Sequence, residues 1–136
     1  MTARPSVDAS RRQPWVRVAL LVGVVYFLIG RVFALPADHV RAWRLAAWIV
    51  SGCAYAAHIG YERFRLRNST RLTALHVALA AALGAFALAF AGMIQSLSNT
   101  STIRPTWLLA LVIWPAVTAI PAFLVALAAG AVLSRR

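Results

Sequence analysis

The sequence predicts an all-α integral membrane protein, with four transmembrane helices in an up-down-up-down bundle and both termini in the cytoplasm. Three observations carry this. Of the 136 residues, 62% are hydrophobic and 12% charged, whereas soluble domains have about 45–50% apolar and about 25% charged residues. The apolar residues fall into four blocks, each of the roughly 20 residues a helix needs to cross a bilayer core. Fourteen arginines, without a single lysine, face only Asp8, Asp38 and Glu62, giving a net charge of +11. These charges gather at or near the ends of the blocks.

Residues 1–13 mix Thr, Pro, Ser, Gln and Arg without apolar periodicity and read as a flexible basic cytoplasmic tail. The rest, 14–136, is expected to be a single domain. Span one covers about 15–35. Its arginine-rich lead resembles the start of a signal peptide, but Arg31 interrupts the block and Phe33 to Ala37 offer no small-x-small cleavage pattern, so a retained helix is predicted. Pro36 halts that helix and suits the start of the next, span two, about 43–62, with Asp38 near its positive end. Asn68-Ser69-Thr70 is a turn and N-cap signal that opens span three, about 72–97. A polar loop, Ser98 to Thr102, leads to Arg104-Pro105 and span four, about 107–133.

Orientation follows from the arginines. Arg4, Arg11, Arg12, Arg17, Arg63, Arg65, Arg67, Arg71, Arg135 and Arg136 lie on one side, against Arg31, Arg41, Arg44 and Arg104 on the other. The richer side is the cytoplasmic one by the positive-inside rule. The cluster Arg63, Arg65, Arg67 and Arg71 is then a contact for anionic lipid headgroups on the cytoplasmic face. Nucleic acid is not an expected partner, because no nucleic-acid motif accompanies the charge. Trp15, Tyr61 and Phe64 suit the inner interface, and Trp43 and Trp107 the outer one; Trp48 and Trp114 lie deeper and are expected to pack. An arginine-only, alanine-rich composition points to a GC-rich bacterial genome and hence to the inner membrane.

Helices in lipid associate by close approach at small residues rather than by hydrophobic burial. The expected packing positions are Gly23 and Gly30 in span one, Gly52, Ala56 and Gly60 in span two, and Ala78, Ala82, Ala85 and Ala89 in span three. They serve either a four-helix monomer or a homodimer. Pro115 and Pro121 interrupt the hydrogen bonding of span four and are expected to kink it, with Thr118 between them.

Candidate chemistry is sparse. Asp38 and Glu62 fall at helix ends, so a proton exchanger working through a mid-membrane carboxylate is not expected. Cys53 alone forms neither an intramolecular disulfide nor a cysteine zinc site. His58 and His76 flank the loop between spans two and three at similar depth, each about 6–8 Å inside its helix end. Such a pair can ligate a haem iron, hold a labile metal or sense pH, although interfacial or packed histidines are commoner. No cofactor is therefore expected. The predicted function is a non-catalytic structural or accessory component of the membrane. The alternatives are a small homodimeric channel or facilitator for a neutral or anionic solute and, third, a haem-carrying redox protein.

Overall fold

In the computed structural model the described residues are 13–35, 38–100 and 105–133, and their regular structure is helical. Helix α1 is Gln13–Val32, α2 Val40–Gly60, α3 Thr70–Thr100 and α4 Pro105–Leu133; a π turn, Tyr61–Arg65, follows α2 directly. Residues 1–12 of the predicted tail, together with Arg104, Arg135 and Arg136, lie outside the described residues.

The helix ends follow local chemistry. After Val32 the chain tightens, with Ala34 N–H donating to the Arg31 carbonyl and Leu35 N–H to that of Val32. This ends α1 three residues before the predicted limit. His39, at φ 56°, turns the chain into α2. Ser69 opens α3 as its sequence context predicts: its hydroxyl accepts from Leu72 N–H at 3.4 Å and its carbonyl from Thr73 N–H at 2.9 Å. The far end of α3 outruns the prediction. Ser98 donates its hydroxyl back to the Gln95 carbonyl at 2.8 Å, so residues read as a polar loop form a last helical turn. Pro105 begins α4, where its missing N–H costs nothing.

Helices α1, α3 and α4 are each long and apolar enough to cross a membrane. At 1.5 Å per residue α3 extends about 46 Å and α4 about 44 Å. Four equivalent spans were expected. The 21-residue α2 is the exception, because Arg41 and Arg44 at its start and His58 near its end make it less apolar than the other three.

Helix α3 is the centre of the packing, with α1 along one side and α4 along another. Helices α1 and α3 approach closely where two glycines meet. A Cβ on Gly84 would stand 2.6 Å from the Cβ of Tyr26 and 3.1 Å from the Gly23 carbonyl oxygen. Gly30 lies over Leu88, while Ala78, Ala85 and Ala89 are buried and Ala82 is half-buried. Trp15 against His76, Gly23 against Gly84 and Gly30 against Leu88 make α1 and α3 parallel. Gly92 under the Trp107 ring and Gly130 against Thr70 make α3 and α4 antiparallel.

The small-residue face expected on α2 does not pack within the chain. Among the described residues nothing lies within 4 Å of where a Gly52 Cβ would be and a Gly60 Cβ would meet just the Phe64 ring of its own turn, while Ala56 is exposed. The last third of α2 does make contact. Tyr55 donates its hydroxyl to the Ala122 carbonyl of α4, and Ile59 joins Ala74, Val77 and Ala126 in a small core. Trp48 and Trp114 are also a correction. They were expected to pack but are 78% and 53% exposed, on helix faces that carry Ile49 and Ile113 outward as well. Helix α4 continues through Pro115 and Pro121, and Thr118 shares its hydroxyl between the Trp114 and Pro115 carbonyls, each at 3.0 Å.

Candidate functional site

His58 occupies the last turn of α2, and Glu62, four residues on, falls on the same helical face. The π turn then widens the chain path. Leu66 N–H reaches back five residues to the Tyr61 carbonyl at 3.2 Å, and Asn68 N–H to that of Glu62 at 3.2 Å. Arg67, at φ 53°, reverses the direction so that the Asn68 side chain returns to Glu62 and donates Nδ2–H to Oε2. Arg63 holds this loop closed, donating Nη1–H to the Asn68 carbonyl at 3.3 Å.

The first turns of α3 complete the site. His76 Nδ1 lies 3.1 Å from Glu62 Oε2, and His58 Nε2 lies 3.7 Å from Oε1. One carboxylate thus stands between two imidazoles from different helices. From α1, the Trp15 ring stacks on His76 with centroids 4.6 Å apart and planes 4° from parallel. The cluster is closed to solvent: Glu62 is 0% exposed, Thr73 2%, His58 3% and His76 4%.

Closure makes the electrostatics demanding. A carboxylate taken out of water costs several kcal/mol unless charges and hydrogen bonds compensate. Glu62 Oε2 has two such partners, Asn68 and His76. Oε1, both His58 nitrogens and the Thr73 hydroxyl are buried without a hydrogen bond among the described residues. The set is half satisfied, which marks it out from ordinary packing.

The expected His58 and His76 pair is therefore brought together, but not as a haem site. Two axial imidazoles need a flat gap between them for the macrocycle, and here the Glu62 carboxylate fills it while Trp15 covers one ring. Among the described residues, no group of three His, Cys, Asp or Glu side chains has the geometry to hold a metal ion. Glu62 corrects the sequence reading most. It does stand at a helix end, but it faces inward rather than toward the interface, because the turn folds Asn68 and α3 over it. Its spacing from His58 was the available signal. Asn68, Thr73 and Trp15 were missed as members of the site. Arg65, Arg67 and Arg71 are exposed around it and Arg63 is half-buried, as a basic rim on the loop. No protein-family model, curated protein or solved structure matches the chain.

Proposed function

We propose that the chain is a four-span protein of a bacterial inner membrane, with both termini cytoplasmic, acting as a non-catalytic structural or accessory component. The observation that carries this reading is the outward apolar surface. Leu20, Leu21, Val24 and Leu28 of α1, and Val112, Ile113, Val117, Ile120 and Leu124 of α4, are all more than half exposed. Burying such a surface in lipid tails removes it from water. The ten-to-four arginine distribution supports the orientation and a contact of Arg63, Arg65, Arg67 and Arg71 with anionic headgroups. The closure of the His58, Glu62 and His76 cluster supports a non-catalytic role, since a substrate cannot reach these groups without a rearrangement. Reporter fusions at both ends and in the 66–69 and 101–104 connections test the topology. A reporter active on the outer side at either terminus overturns the orientation.

A homodimer is the second reading, favoured by the open face at Gly52 and Ala56. Small residues facing outward permit the close helix approach that membrane association uses. A channel or facilitator would be built on that dimer.

A further inference from the structure

We propose that His58, Glu62 and His76 form a buried proton-binding site that latches α2 to α3. The argument begins with charge. With both imidazoles neutral and the carboxylate ionised, the closed cluster carries one negative charge; one added proton brings it to zero, and a second makes it positive. A buried set of low polarity surroundings favours the neutral total.

Geometry gives that proton a place. His58 Nε2 and Glu62 Oε1 are 3.7 Å apart, and neither has a hydrogen bond. A proton on His58 turns this contact into an ion pair, and a small closure makes it a charge-assisted hydrogen bond that satisfies both atoms. Oε2 keeps its bonds from Asn68 and His76 throughout.

The groups act on one another rather than on distant charges. The ionisable side chains that meet in the cluster are His58, Glu62 and His76. Helix α4 has no titratable side chain between Pro105 and Leu133. Helix α1 presents the Trp15 ring, while Arg17 is exposed. In the connecting loop Arg63 is turned to the Asn68 carbonyl and Arg65 and Arg67 are exposed, as is Arg71 on α3. Tyr55, one turn before His58, is committed to the Ala122 carbonyl.

The latch matters because little of α2 is buried. His58 and Ile59 are its buried residues, Leu45, Trp48 and Ile49 face outward, and its start is held by the Trp43 ring meeting Phe33 edge-on at 5.7 Å. Removing the proton leaves an uncompensated charge at the end of α2 that packs on α3, next to the π turn on which the helix can pivot. Histidine is suited to this role because its charge changes between about pH 5 and 8.

The test uses the full chain in phospholipid vesicles, diluted with unlabelled protein. Spin labels go on native Cys53 of α2 and on a cysteine replacing Val117, which is exposed on α4. Pulsed resonance then reads the α2–α4 distance distribution between about pH 5 and 8. The expected result is a narrow distribution at the acid end that broadens reversibly as the pH rises. Glu62→Gln, which removes the charge, should stay narrow throughout, and His58→Gln should lose the titration. Should Glu62→Gln not yield folded protein, His58→Gln carries the same test. A wild-type distribution that does not change with pH overturns the proposal, as does a His58→Gln variant that titrates like wild type. Narrowing that requires added zinc and is reversed by a chelator would also overturn it, assigning the cluster to a metal.

Discussion

Glu62 Oε2 and His76 Nδ1 meet at 3.1 Å, fourteen residues apart in sequence, and join the turn after α2 to the second turn of α3. The same oxygen accepts from Asn68, so a single carboxylate fixes the loop and the helix together. Its removal should be costly. Glu62→Ala strands the half-buried Asn68 amide and the buried His76 ring, and at about 1–3 kcal/mol for each unsatisfied group the loss should be about 3 kcal/mol. Glu62→Gln retains an acceptor and should lose less. Thermal unfolding of the detergent-purified protein, followed by circular dichroism, checks this; an alanine variant as stable as wild type would mean that the cluster contributes nothing to the fold.

Trp15 covers one face of His76. Wild-type His76 should therefore react slowly with diethyl pyrocarbonate, and Trp15→Ala should make it react several-fold faster while exposed His39 reacts alike in both. Mass spectrometry of the modified peptides separates the two histidines. Equal rates at His76 in both proteins would show that the ring is not what shields it.

The fold was largely legible because its determinants are local. The apolar blocks, Ser69 as a cap and Pro105 as a helix start are each set by a few neighbouring residues. The Gly23 and Ala85 faces were legible because close packing at small side chains repeats at helical spacing. What the sequence concealed depends on how one helix sits on another. Gly52 and Ala56 have the same pattern as the buried faces yet point outward. Trp48 could be placed in depth but not in azimuth. Glu62 stood among arginines, where a solvated carboxylate is the ordinary expectation, and only the π turn and the return of Asn68 bury it.

Two tyrosines offer a matched comparison. Tyr55 donates its hydroxyl to the Ala122 carbonyl, one of the links between α2 and α4, whereas the Tyr26 hydroxyl is buried without a hydrogen bond. Tyr55→Phe should cost about 1 kcal/mol, the usual net value of such a bond. Tyr26→Phe removes an unsatisfied group and should be neutral or stabilising. The same unfolding measurement reads both; a Tyr26 variant less stable than the Tyr55 variant would reverse the assignment.

The contact between α1 and α3 at Gly84 should tolerate no side chain. An added methyl meets Tyr26 Cβ at 2.6 Å and the Gly23 carbonyl at 3.1 Å, and neither atom is the free end of a flexible chain. Gly84→Ala must push the helices apart, an overpacking cost of about 2 kcal/mol that outweighs alanine's advantage over glycine in a helix. A lower unfolding temperature is expected, and an unchanged one would mean that α1 shifts freely.

Gly52 gives the opposite expectation and decides between a bare and a covered face. None of the described residues surrounds it, so in a monomer Gly52→Ala should stabilise α2 by about 0.5–1 kcal/mol through reduced backbone freedom. If a second copy lies against this face, the added methyl instead holds the two helices apart. Cys53 is the next residue, exposed and the sole cysteine, so it reports the contact without engineering. A two-fold dimer through α2 brings the two thiols together, since such an interface pairs each patch with itself. Oxidation in native membranes should then give a disulfide-linked species of twice the monomer mass, and Gly52→Leu should abolish it. A chain that stays monomeric on oxidation, and is stabilised by Gly52→Ala, places this face against lipid and removes the basis for a dimeric channel.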